Sequence, residues 1–189
     1  MKRFLLTLCA ISFSLAVFAQ EHMTFKGVSM DNSLSSFISQ LKSKGFTLDA
    51  TEDNVALLKG DFAGKSDCTI GIVATKQGKK VWKVVVYFPE ETSWYSLKSE
   101  YKSFKSSYTE KYGSPKSFER FDDPYYEGDG YELQALRLEK CTYKSYYNTS
   151  KGYISVGIDK SGCVTVAYED AINVEIKRKE AEMSVSEDI

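Results

Sequence analysis

Asp31-Asn32-Ser33-Leu34-Ser35-Ser36-Phe37-Ile38-Ser39-Gln40-Leu41-Lys42-Ser43-Lys44-Gly45 is the stretch on which the fold turns. Asp31, Asn32 and Ser33 carry side-chain oxygens that accept from the free amides of a first helical turn. Leu34, Phe37, Ile38 and Leu41 then recur at i, i+3, i+4 and i+7, one apolar stripe on the helical period, and Gly45 suits the left-handed stop. The spacing predicts a helix over residues 33–44. Residues 25–30 before it read as a short strand. Residues 55–59, 68–74 and 81–88 after it read as three antiparallel strands, with Cys68, Ile70, Ile72 and Ala74 alternating against polar or small neighbours. Gly78, in the turn Lys76-Gln77-Gly78-Lys79, is expected to supply the positive φ of a hairpin.

The same order recurs downstream. Pro89-Glu90-Glu91-Thr92-Ser93 announces a second helix, whose apolar stripe is Trp94, Leu97, Tyr101, Phe104 and Tyr108 and whose end is Gly113-Ser114-Pro115. Strands are predicted at 117–120, 133–147, 153–159 and 163–168. Phe37-x3-Leu41-x2-Lys44-Gly45 is echoed by Phe104-x3-Tyr108-x2-Lys111-Tyr112-Gly113, Cys68-Thr69-Ile70 by Cys141-Thr142-Tyr143, and Gly78-Lys79 by Lys151-Gly152. The expectation is an α+β fold: a tandem helix-plus-antiparallel-strands repeat, about 24–90 and 91–170, with the helices packed on one face of antiparallel sheet. Such packing leaves the other face open to solvent or to a partner. A short charged helix over 169–182 and a disordered tail over 183–189 complete the reading.

Residues 1–19 have the signature of a signal peptide: Lys2 and Arg3, an apolar run from Phe4 to Phe18, and small residues near Ala19. The mature chain, residues 20–182 plus the tail, is then one domain of secreted or periplasmic address. Of 25 Lys and Arg, removal of Lys2 and Arg3 leaves 23 against 26 Asp and Glu, a mildly acidic balance that argues against nucleic acid. No transmembrane segment is expected after cleavage.

Cys68, Cys141 and Cys163 remain once Cys9 leaves with the signal. In an oxidising compartment an odd number implies one disulfide plus a buried thiol, the competing reading being three buried thiols on strands. No two stand at C-x-x-C spacing, and the single histidine, His22, lies at the expected frayed mature N-terminus, so neither a metal nor a cofactor is expected. Nucleophile-plus-imidazole chemistry needs a base held against the nucleophile, and the lone His22 is badly placed for that work.

Two features remain as candidates for function. Asp122, Asp123, Glu127, Asp129 and Glu132 cluster in a loop with Pro124, Gly128 and Gly130; as paired carboxylates they suit glycoside hydrolysis, as alternating oxygens calcium, and otherwise a solvated hairpin loop. Tyr125, Tyr126, Tyr131, Tyr143, Tyr146, Tyr147 and Tyr153 crowd the second half, and tyrosines present rigid area with a polar tip. Tyr125, Tyr126, Tyr131, Tyr146 and Tyr147 are the candidate binding residues, the alternative being core or cross-strand pairs.

Phe25-Lys26-Gly27-Val28-Ser29-Met30-Asp31, Gly60-Asp61-Phe62-Ala63-Gly64 and Cys68-Thr69-Ile70-Gly71 resemble segments of uncharacterised secreted proteins of Bacteroides-type gut bacteria, a resemblance that covers the mature region and implies no activity. The tandem helix-then-strands plan is similar to the beta-lactamase-inhibitor-protein architecture, also seen in outer-membrane assembly lipoproteins. The function expected from all of this is an exported, non-enzymatic binding or interaction module with a protein or glycan partner of the cell envelope or exterior. The alternatives are an envelope hydrolase using the 122–132 carboxylates and a structural subunit of an envelope complex.

Overall fold

The structure, a computed structural model, describes residues 21–187, so the signal-peptide reading of residues 1–19 lies outside the described residues. It is mixed α+β, with four helices and ten strands among the described residues. The first surprise is at the start. Residues 25–30 are a miniature hairpin, β1 (Thr24–Phe25) and β2 (Val28–Ser29), because Lys26 and Gly27 both take positive φ, 51° and 76°, the geometry of a two-residue hairpin turn.

Helix α1 (Leu34–Lys42) is capped by the Ser33 hydroxyl, which accepts from the Ser36 amide at 3.3 Å, and it buries Leu34, Phe37 and Leu41. It stops two residues short of the expectation, with Gly45 at φ 95° turning the chain away. Four strands follow, not three: β3 (Thr47–Glu52), β4 (Val55–Phe62), β5 (Lys65–Ala74) and β6 (Val81–Tyr87). The unforeseen β3 is exposed along its whole length and carries no apolar alternation to betray it. In the β5–β6 turn the positive φ belongs to Lys79 (51°) and not to Gly78.

Helix α2 (Trp94–Tyr112), capped by Ser93, leads into β7 (Lys116–Phe121). The strand expected over 133–147 is two elements: helix α3 (Glu132–Arg137), then β8 (Cys141–Thr149). Glu132-Leu133-Gln134-Ala135-Leu136-Arg137 is composed of strong helix formers, and Glu139 at φ 57° separates it from the strand. Strands β9 (Gly152–Ile158) and β10 (Val164–Asp170) follow. Helix α4 (Ala171–Glu187) replaces both the short helix and the start of the expected disordered tail; Arg178 pairs with Glu175 and Glu182 along its exposed side.

Apart from β1 and β2, all strands join one antiparallel sheet in the order β3-β4-β5-β6-β10-β9-β8-β7. The seam between the halves is β6–β10, with Val86 opposite Val166 and Lys83 opposite Glu169. On one face Leu58, Ile70, Ile72, Val84, Val86, Val156, Val164 and Val166 are buried beneath Phe37 and Leu41 of α1 and Leu97 and Tyr101 of α2. Tyr101 meets Tyr143 edge-on at 5.6 Å, and Phe88 meets Phe104 at 4.2 Å. A polar cluster runs from this layer to its rim: Tyr101 Oη lies 2.9 Å from Glu119 Oε1 and 2.7 Å from Ser145 Oγ, and Lys105 reaches Glu119 at 2.5 Å. Burial works against ionisation of Glu119, but the Lys105 and Tyr101 hydrogen bonds outweigh it and hold the carboxyl below its usual range.

Candidate functional site

Strand alternation sends every second side chain to the face that α1 and α2 do not cover. Cross-strand register arranges these residues in three rows. One runs Leu57, Gly71, Val85, Ala167, Ser155, Tyr146; the next Lys59, Thr69, Tyr87, Thr165, Gly157, Lys144, Phe118; the third Val55, Val73, Lys83, Glu169, Tyr153, Asn148. The middle of the face is built of small residues and its surround of large ones. Tyr153 is 52% exposed, while Tyr87, Tyr146 and Phe118 are between 37% and 38%. A Cβ placed on Gly71 would touch the Tyr87 ring at 3.7 Å, and one on Gly157 would press the Lys144 stem at 3.2 Å, so the long side chains lie across the glycines. Phe118 packs edge-on against Tyr146 at 6.1 Å. Partial burial of its ring, with Asp159 and Cys163 nearby, pushes the Tyr87 hydroxyl up, so it remains a neutral donor at physiological pH.

Only a corner of this face has a helix beside it. The Lys177 ammonium lies 4.2 Å from the Trp82 ring centroid, and Glu180 accepts from the amides of Lys76 (2.8 Å) and Gly78 (2.9 Å), which straps α4 to the β5–β6 turn. Between α4 and the sheet a groove of about 580 Å³ is lined by Val55, Val73, Ala74, Trp82, Lys177 and Ala181, among others. The helix begins at a buried knot: Asp170 accepts from the Met23 amide (2.7 Å), the Asn173 amide (2.9 Å) and His22 Nδ1 (3.1 Å). His22 is therefore tied down by Asp170 and is not at a frayed end.

The tyrosines proposed from sequence separate. Tyr146 lies on the open face. Tyr147, its neighbour, points the other way and is buried, donating to the Lys105 carbonyl at 2.8 Å, and is withdrawn as a binding residue. Tyr126 and Tyr131 are exposed in the 122–131 loop, whereas Tyr125 is half-buried and accepts from Gln134 at 3.3 Å. That loop sits on the helical side, since Glu127 is held by Lys98 of α2 and accepts from Tyr143 at 3.2 Å. Trp82, Tyr87 and Phe118 are the face residues that the sequence reading missed. For Tyr87 the signal is parity, since Val84, Val86 and Phe88 are core, whereas Trp82 has the core parity and is displaced by the register shift between the Val73↔Lys83 and Ala74↔Val81 pairs.

The acidic loop is occupied with holding itself together. Asp129 accepts from the amides of Tyr126 (3.1 Å) and Tyr131 (2.7 Å), Glu132 from Gly128 (2.8 Å), and Asp122 from Arg120 Nε (3.2 Å). The Lys98 hydrogen bond keeps Glu127 below the usual carboxylate range, a state suited to structure and not to general-acid work. Among the described residues no group of three or more His, Cys, Asp or Glu is placed to hold a metal ion. Cys68, Cys141 and Cys163 are all free and buried, so the disulfide expectation gives way to the three-thiol one. Burial pushes the Cys141 thiol up to about 12 and raises the other two, which removes them as nucleophiles near neutral pH.

Among the described residues no helix is long and apolar enough to cross a membrane. No protein-family model matches this chain, nor does a curated protein or a solved structure.

Proposed function

We propose that this chain is an exported, non-enzymatic interaction module that docks a protein partner on its open sheet face. The observation that carries this reading is the exposure of Tyr87, Tyr146, Tyr153 and Phe118 on one side of a single sheet whose other side carries the core beneath α1 and α2. Phe118 packs on Tyr146, while Tyr87 stands apart beyond Thr165 and Gly157, and exposed rings spread over one face in this way suit a protein interface because Tyr and Phe bring area at small entropic cost. Export rests on the character of residues 1–19.

A tandem origin fits the same picture. Each half contributes a helix and four strands, the second with α3 set between β7 and β8, and the order β3-β4-β5-β6 meets β10-β9-β8-β7 at the seam, as two copies related by a rotation would. The similarity in plan to beta-lactamase-inhibitor-protein architecture rests on that order alone. The test is capture of envelope proteins by the chain and by its Tyr87→Ser, Tyr153→Ser variant. Loss of one saturable partner with an unchanged thermal midpoint supports the reading; equal capture refutes it. A partner recovered in fixed stoichiometry from untreated envelope would make the chain a structural subunit.

A further inference from the structure

The two edges of the sheet are finished differently. At the β3 edge the register shifts between Leu48 and Ala50, a bulge at Asp49, and the strand carries Asp49 and Glu52. A bulge of that kind blunts an edge against pairing. At the other edge β7 pairs with β8 without interruption from Lys116↔Tyr146 to Phe121↔Cys141, and among the described residues no strand lies beyond it. The Asp122 amide continues the ladder to the Lys140 carbonyl at 2.8 Å. Antiparallel alternation then turns the amides and carbonyls of Ser117, Glu119 and Phe121 outward, a row of unmet donors and acceptors.

The side chains beside that row are selective. Lys116, Phe118 and Arg120 share the open face, all exposed, a cation on either side of an aromatic ring. The Lys116 ammonium lies 5.3 Å from the Phe118 ring centroid, and one strand inward Lys144 lies 5.4 Å from that of Tyr146. Arg120 gives its Nε to Asp122, which leaves the outer fork of the guanidinium for another carboxylate. On the opposite face Glu119 is already engaged by Lys105 and Tyr101.

We infer that the β7 edge is a strand-addition site for an extended acidic segment of another polypeptide. Its recognition pattern is acidic, any residue, apolar, any residue, acidic, with the two carboxylates set against Lys116 and Arg120 and the apolar side chain against Phe118. The pattern is the same in both chain directions. Self-pairing of β7 is disfavoured: centred on Phe118 it sets Lys116 opposite Arg120, and centred on Glu119 it sets that carboxylate opposite its own copy. This contact adjoins the face proposed above and shares Phe118 with it, and it rests on the reading of the chain as an interaction module.

The experiment is a titration of the purified protein with the peptide Thr-Glu-Thr-Val-Thr-Glu-Thr, followed by amide hydrogen exchange. Binding should slow exchange at Ser117, Glu119 and Phe121 at least about tenfold while leaving β3 unchanged. Replacing both Glu of the peptide by Lys should weaken it by about tenfold or more, and N-methylation of its edge-facing amides should abolish binding while methylation of the others does not. The Lys116→Glu, Arg120→Glu variant, folded by circular dichroism, should reverse the preference in favour of the Lys peptide. Equal binding of the Glu and Lys peptides to the unaltered protein, or slowed exchange elsewhere than β7, overturns the inference. Should that happen while the Tyr87 and Tyr153 variant still loses its partner, only the edge site falls and the interaction reading stands.

Discussion

Lys83 and Glu169 face each other across the β6–β10 seam on the open face, 2.8 Å between Nζ and Oε1. Both remain about one-third exposed, 30% and 34%, so water screens the pair. Replacing both by Ala should change stability by no more than about 1 kcal/mol in chemical denaturation. A much larger loss would mean that the seam depends on this pair and that the two halves are not held by Val86, Val166 and their neighbours.

Asp170 is predicted to matter far more. Its carboxylate closes three donors at the junction of β10, α4 and the amino-terminal hairpin, and Asn173 beside it donates to the carbonyls of Met30 and Val81, both at 2.9 Å. Asp170→Ala strands buried amides and removes a helix cap, which should cost about 2–4 kcal/mol. Hydrogen exchange should show Met23, Met30 and Asn173 opening first. A variant as stable as the parent would refute this account of the knot.

Gly152 is irreplaceable on steric grounds. It holds φ 149°, and a Cβ there would stand 2.0 Å from the Glu169 carbonyl oxygen. Gly152→Ala should cost at least about 2 kcal/mol by denaturant titration, since backbone must move on one of two paired strands. A midpoint unchanged within error would contradict the β9–β10 register.

Much of this was legible in the sequence, and what was not has physical causes. The helix at Leu34 and the helix at Trp94 announced themselves through serine caps and apolar stripes, and β5 through the alternation of Cys68, Ile70 and Ile72. Strand β3 carries no such pattern because both of its faces are wet. Leu133 to Leu138 joined smoothly onto the following strand by hydrophobicity alone, and that merging hid where β8 begins. Since parity along a strand decides which face each side chain serves, Tyr146 and Tyr147 could not be told apart until Cys141 was known to be the first residue of β8.

Alkali should unfold the protein by way of buried phenols and thiols. Burial raises Tyr108 to about 12 and Tyr101 and Tyr168 further, while Cys141 rises to about 12. With folded-state values above the unfolded ones, the neutral forms stabilise the fold fully below about pH 9. That stabilisation is lost as pH climbs through 9 to 12, at up to about 1.4 kcal/mol per pH unit for each group. The phenolate absorbance of Tyr101, Tyr108 and Tyr168, taken as the difference from variants with Phe at each position, should therefore rise in one cooperative step with loss of circular dichroism. Independent titration of these tyrosines in a folded chain would show that they are not buried as described.

Acid acts in the opposite sense. Glu119 is held below its usual range, so its contribution is present above the unfolded value near 4.5 and lost as pH falls through the lower folded one. Glu119→Gln should flatten the acid limb of the stability profile below about pH 4.5 and, because the Glu119 charge also helps to raise Tyr101, soften the alkaline limb without removing it.

The central claim is that partners dock on the face bearing Tyr87, Tyr146 and Tyr153, and residue-resolved crosslinking of the captured complex tests it most directly. Lys59 and Lys144 stand exposed on that face, whereas Lys102 and Lys111 stand exposed on α2 behind the sheet. Crosslinks to the partner from Lys59 and Lys144, with Lys102 and Lys111 free, are the predicted result. Crosslinks concentrated on Lys102 and Lys111 would place the partner on the helical layer and contradict the account.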